Sequence, residues 1–206
     1  MAADLPELVS TWRTAVVTSE VQNGVVGDEA ALPELAEAAR GTMLPALGRL
    51  VKAARAAGVE VVHGTFERRV DGKGANTNAR LFNAVAKSPV KLLPGSHATQ
   101  VVDEVGVGPT DVVLSRTHGL NPMADTGLDA VLRNLGVSTI VVTGVSVNVA
   151  VTNLVMDAVN RGYQVVLPRD AVCGVPVDYA EAVVEHTLSL LATLTTVDEL
   201  VKIWSS

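Results

Sequence analysis

Cysteine occurs once in these 206 residues, at Cys173. One thiol can close no internal disulfide and cannot supply a cysteine-rich zinc site. Aromatic residues make up only 3% of a chain that is 48% hydrophobic, so Val, Leu and Ala must fill any core. Basic residues are also short, 16 Lys and Arg against 22 Asp and Glu, for a net charge of −6. Nucleic acids and anionic membranes are held through basic patches, so neither is an expected partner. No apolar run approaches the roughly 20 residues of a membrane-spanning helix. No basic segment followed by an apolar stretch opens the chain, so no signal peptide is visible. A cytoplasmic protein is the default expectation. There is no repeat, low-complexity segment or linker, and the length suits a single domain over residues 1–206, with residues 1–11 as a loose N-terminal arm.

What is present centres on Thr139-Ile-Val-Val-Thr-Gly-Val-Ser-Val-Asn-Val-Ala-Val151. Its β-branched run predicts a buried strand over 139–143, and the closing Gly144 suits a parallel strand covered on both faces. A tight turn at Gly144, Val145 and Ser146 follows. Val147, Val151, Leu154 and Ala158 then recur at helical spacing, predicting a helix to Arg161 that Gly162 stops. Residues 164–167 form the next buried run. This is one βαβ unit, and ligands of such sheets bind beyond the carboxyl ends of the strands.

Further strands are predicted over 14–18, 59–63, 111–115 and 193–196, with helices near 44–57, 126–135, 177–191 and 197–204. Thr126 is a candidate helix cap. Residues 25–40 read as a loop and a short helix, 64–74 as a polar, Gly-rich loop or lid, and 78–87 as another short helix. Six strands alternating with helices predict a three-layer α/β/α sandwich around a mostly parallel sheet, with strand one beside strand four and a switch point between them. Glu20, Arg116 and Ala150 follow the carboxyl ends of strands one, three and four, and could converge on one crevice.

At those residues the chain resembles the isochorismatase-like superfamily, also called the cysteine hydrolases. The likeness is carried by Ala15-Val-Val-Thr-Ser-Glu-Val-Gln-Asn23, Pro94-Gly95-Ser96, Asp111-Val-Val-Leu-Ser-Arg116 and Leu128-Asp-Ala-Val-Leu-Arg133. Gly144-Val-Ser-Val-Asn-Val-Ala-Val151, Asp157-Ala-Val-Asn-Arg-Gly-Tyr-Gln-Val-Val166 and Asp170-Ala171 continue it. It implies a Rossmann-like six-stranded sheet, a small-molecule substrate and a homodimer or larger homo-oligomer; the apolar C-terminal third and the closing helix with Trp204 offer surface for such an assembly beyond what one domain must bury. It also implies a catalytic Asp, Lys and Cys at the positions that hold Glu20, Arg116 and Ala150. A methyl group cannot attack a carbonyl, so the thioester route is closed at Ala150. A thiol-independent route through Glu20 as general acid remains, with Arg116 as its electrostatic partner and a small, anionic metabolite as substrate.

Each candidate has a plainer reading. Glu20 and Arg116 can be a structural ion pair, since the Arg fork matches a carboxylate. The chain is then an inactive relative that binds a small molecule or serves as a scaffold. Gln22, His118, Gly144, Val145 and Ser146 are the candidate substrate contacts. His118 can replace a lost base or be a solvated loop histidine. Ser146 would need a base to act as a nucleophile, and none is evident. Cys173 fits a small buried hydrophobe better than a nucleophile. His63 has no His or Asp at metal spacing, so no metal is expected. Gly24 and Gly27 lack the third glycine of a dinucleotide fingerprint, and no cofactor is expected.

Overall fold

The computed structural model of the chain describes residues 4–124 and 126–205. Among these residues seven strands form one sheet: β1 (Thr14–Ser19), β2 (Glu60–Phe66), β3 (Val112–Arg116), β4 (Thr139–Val145), β5 (Gln164–Pro168), β6 (Val172–Cys173) and β7 (Thr193–Thr195). The order is β3-β2-β1-β4-β5-β7, with two-residue β6 set against the end of β4. Every pairing between these strands is parallel. The six expected strands are all present, and β1 lies beside β4 with Thr14 opposite Thr139 and Ser19 opposite Gly144. β6 is the addition; two residues are too short for periodicity to reveal.

The helices are α1 (Leu5–Leu8), α2 (Asn23–Val26), α3 (Pro33–Ala38), α4 (Leu44–Ala56), α5 (Arg80–Lys87), α6 (Leu128–Asn134), α7 (Thr152–Asn160), α8 (Val177–His186) and α9 (Val197–Trp204). Alternation along the strands sends side chains to two faces. Val16, Val61, Val141 and Val166 pack with Leu47, Leu50 and Val51 of α4 and Leu200 of α9. Ala15, Val17, Val62, Ile140 and Val142 pack on the other face with Leu132 of α6, Leu154 and Val155 of α7, and Val184 of α8. These are the three layers. Their cores are aliphatic, as the shortage of aromatics requires.

Several boundaries differ from the sequence reading. β2 runs three residues past His63 because Gly64, Thr65 and Phe66 pair with Leu114, Ser115 and Arg116. The helix after β4 opens with a wide π-type turn over Val147–Val151 before α7 begins. The expected helix over 177–191 is α8 followed by a tight turn at Leu188–Leu190. The residue at the N-cap of α6 is Gly127, not Thr126, and it makes no side-chain cap; Thr126 Oγ1 instead accepts from the Leu128 N–H at 3.1 Å.

Two expectations are corrected. The N-terminal arm is docked over its described residues: Leu8 and Val9 are buried in the core. The closing helix is not spare surface either. Trp204 is buried, and its indole N–H donates to the Val9 carbonyl at 2.9 Å. Each end of the chain covers the other, a contact 195 residues apart in sequence.

Candidate functional site

The carboxyl ends of β1 and β4 meet where the strand order reverses, and the chain turns sharply at both. Glu20 follows β1 with φ +55, a left-handed backbone that glutamate rarely adopts. Its N–H donates to the Gly64 carbonyl at 2.8 Å, which holds it there. Gly144 has φ +96, and a Cβ at this position would collide with the Ser19 carbonyl oxygen, so glycine alone lets β4 approach β1. The Ser19 hydroxyl donates to the Val145 carbonyl at 3.0 Å and ties the two strand ends together. The π-type turn then places Asn148, Val149 and Ala150 on the same space as Glu20.

A cavity of about 290 Å3 opens between these ends. Glu20, Arg116, Val145, Ser146 and Ala150 all line it. The three positions singled out after strands one, three and four are thus brought to one space. The other walls are mostly apolar, with Ser88 and Asn148 the polar exceptions. Val25 comes from α2, Leu35 from α3, Leu81, Phe82 and Val85 from α5, with Phe66 and Leu92 beside them.

The charged end of the cavity is one ion pair. Arg116 Nη2 donates to Glu20 Oε1, and Arg116 Nη1 donates to the carbonyls of His118 at 3.1 Å and Gly119 at 2.9 Å. The guanidinium lies 4.9 Å from the centre of the Phe66 ring, within cation–π range. Arg116 Nε is buried with no hydrogen-bond partner among the described residues. Burial pushes the Glu20 carboxyl above its ordinary range, while the Arg116 charge pulls it back only in part. Burial likewise lowers the Arg116 guanidinium, and Glu20 opposes the shift. Both directions have one cause: charge is costly in a site walled by hydrocarbon.

The remaining candidates divide. Ser146 lines the cavity, but its hydroxyl donates to Asn148 Oδ1, and no base stands beside it among the described residues. Gln22 is buried outside the lining. Its amide donates to the carbonyls of Phe66 and Thr99, each at 2.9 Å, and accepts from the Phe66 N–H at 2.7 Å. It fixes backbone and does not face a ligand. His118 meets Arg116 through its main-chain carbonyl, and its ring is not part of the lining. Gly144 likewise shapes the backbone from outside the lining. Cys173 belongs to a separate cavity with Arg169, Asp170 and Glu181, and burial pushes its thiol up, away from the reactive thiolate.

Sequence reasoning missed two features. One is α5 as a wall of the cavity, whose Leu81, Phe82 and Val85 recur at spacings of three and four and carried the signal. The other is a buried polar cluster. Thr18 Oγ1 lies 3.0 Å from His63 Nδ1, His63 Nε2 lies 3.0 Å from Asp111 Oδ2, and Arg55 Nη2 donates to that same oxygen at 2.6 Å. The Thr-His-Asp arrangement looks catalytic, yet Thr18 and His63 are sealed from solvent, so it braces β1, β2 and α4. No group of three His, Cys, Asp or Glu side chains among the described residues is placed to hold a metal ion. No helix among them is long and apolar enough to cross a membrane.

The family model for the isochorismatase domain matches residues 14–199. Among curated proteins, N-carbamoylsarcosine amidase from Arthrobacter sp is 28% identical over 134 residues, which is 64% of this chain and 49% of the amidase. The chain thus spans about half the length of that relative. The ureidoacrylate amidohydrolase RutB of Methylorubrum extorquens is 29% identical over 171 residues, 77% of this chain and 68% of that protein. Among solved structures, a cysteine hydrolase from Pseudomonas syringae pv. phaseolicola shares the fold with a TM-score of 0.84 at 24% identity, covering 100% of this chain and 99% of that one. An isochorismatase family protein from Burkholderia thailandensis has a TM-score of 0.78 at 26% identity, covering 95% of this chain and 97% of its own.

Proposed function

The chain belongs to the isochorismatase domain family, and from that premise we propose that it hydrolyses a small metabolite without a cysteine nucleophile, with Glu20 moving the proton. The observation that carries this reading is the convergence of Glu20, Arg116 and Ala150 on one apolar-walled cavity. Two relatives bear the names of amide-cleaving enzymes, N-carbamoylsarcosine amidase and ureidoacrylate amidohydrolase, which supports hydrolysis as the reaction class. The resemblance sets the nucleophile at the position of Ala150, and a methyl group makes no covalent intermediate, so water must attack. Glu20 faces the cavity with a carboxyl that burial holds partly toward the protonated form. In that form it donates to the substrate atom that takes the proton while water attacks, and the proton that water sheds returns to the Glu20 carboxylate to restore the acid. Arg116 stabilises the carboxylate between the two transfers.

A second reading, a family member that binds its ligand without turnover, is favoured by the direct Glu20–Arg116 contact. A carboxylate held against a guanidinium is a poor acid. The expectation of an anionic substrate loses support from the same contact, because Arg116 is committed to Glu20 and two carbonyls.

Glu20→Gln is nearly isosteric and cannot donate a carboxylic proton. Screened with the unmodified protein against a panel of small amides and enol ethers, it is expected to bind equally and turn over roughly 10²–10⁴-fold more slowly. Equal turnover by both proteins removes Glu20 from the mechanism. Binding without product by either favours the non-catalytic reading.

A further inference from the structure

None of the eight residues of α5 is buried, although Leu81, Phe82 and Val85 form one apolar stripe. All three face the cavity, and Leu81 is 41% exposed. Leu35, Leu92 and Val149 line it with them. An amphipathic helix normally buries its stripe against the body of its own protein. Here the stripe borders a space of about 290 Å3, close to the lower end of ligand pockets.

Charge narrows the occupant further. Among the described residues, Glu20 and Arg116 are the only ionisable side chains in the lining, and they neutralise each other. A carboxylate or ammonium group entering this space would lose its hydration and gain no partner, unless it broke the existing pair. An uncharged head loses little. Glu20 keeps 21% of its side chain exposed, so an N–H or O–H of a ligand can donate to it.

We infer that the occupant is an uncharged small molecule with an apolar body of fused-ring size lying against α5 and one hydrogen-bond donor turned toward Glu20. Leu81, Phe82 and Val85 are then the residues that set specificity. This rests on the cavity being the active site, but it requires binding only, not turnover.

Calorimetric titration with three probes tests it. Naphthalene carboxamide has the apolar body and an uncharged head, naphthalene carboxylate has the same body with a negative charge, and acetamide has the head alone. The carboxamide is expected to bind at least tenfold more tightly than either of the others. Leu81→Ser and Phe82→Ser, both on the weakly packed α5, are each expected to weaken it several-fold while leaving the unfolding transition in place. The inference is overturned if the carboxylate binds as well as the carboxamide, if acetamide matches it, or if the carboxamide does not bind at millimolar concentration. It is also overturned if the two α5 variants leave the affinity unchanged and instead dissociate a dimer, for then a second copy covers the stripe. Ammonia release, measured separately, tests the hydrolase reading: a carboxamide bound but never cleaved counts against turnover and supports the cavity assignment. Cleavage of a charged amide by a protein that ignores the carboxamide does the reverse.

Discussion

Glu20 carries two costs that an ordinary surface glutamate avoids. Its backbone sits at φ +55, a conformation that costs a non-glycine residue about 1–3 kcal/mol. Its carboxyl is raised by burial. A raised acid binds its proton more tightly in the folded state, so the folded state is penalised above the folded pKa and not below the unfolded value near 4.5. The same sign governs proton donation: activity that needs protonated Glu20 falls as pH rises through the folded pKa. Arg116 makes the carboxylate tolerable, and the dependence is mutual. Glu20→Gln leaves a nearly fully buried guanidinium without its counter-charge. Removing one partner of a fully buried pair costs about 3–5 kcal/mol, and the partial exposure of Glu20 lowers the expected loss to about 2–3 kcal/mol. Arg116→Gln costs less, because the orphaned carboxyl can take up a proton. In the double variant two neutral amides can hydrogen-bond, so much of the loss returns. Urea unfolding of the four proteins measures the coupling; single effects that add to within about 0.5 kcal/mol would show that the pair is not a stabilising unit.

At the scale of elements, the site depends on strands arriving in register. β1 delivers Glu20 and β3 delivers Arg116, with β2 between them. The cluster of Thr18, His63, Asp111 and Arg55 spans β1, β2, the entry to β3 and α4, so it fixes that register from the buried side. Burial lowers the His63 pKa from its ordinary 6.5. The Asp111 hydrogen bond and charge oppose the shift, and the Arg55 charge adds to it. The unfolded chain therefore takes up this proton first as pH falls. Stability is complete above about pH 6.5 and declines from there toward the folded pKa. For Asp111, burial raises the carboxyl, but Arg55, the Gly108 N–H and His63 together hold it below 3.8. Its contribution is lost only in stronger acid, as pH falls through that lowered value. The two windows are separable. Between about pH 7 and pH 5 the urea midpoint of the unmodified protein is expected to fall relative to that of His63→Gln, which lacks the titrating ring, while the Glu20 contribution is common to both. Parallel declines in both proteins would mean that another group titrates in this range.

For the molecule as a whole, what could be read in advance followed the reach of each interaction. Runs such as residues 139–143 declare a buried strand locally, and alternation of strand and helix leaves few topologies, so the β1–β4 adjacency was legible. Convergence of Glu20, Arg116 and Ala150 followed from strand ends in a parallel sheet. Contacts between distant segments carried no such signal. His63 meets Asp111 across 48 residues, and Gln22 finds its backbone partners 44 and 77 residues away. The sequence presents Trp204 as spare surface, because nothing near it hints that Val9 receives its N–H. The expectation of a homo-oligomer must therefore rest on other residues. Trp12 is 76% exposed and Leu190 80%, with Val177 and Tyr179 also exposed. Scattered apolar residues are normal on a monomer, but large aromatic and leucine side chains left this open mark surfaces that a second copy can cover. We expect light scattering at micromolar concentration to give a mass of at least about twice the 21.4 kDa of one chain. Trp12→Glu or Leu190→Glu is expected to shift the mass toward one chain, since a buried interface does not tolerate an unpaired carboxylate. A 21.4 kDa particle for the unmodified protein would end the expectation.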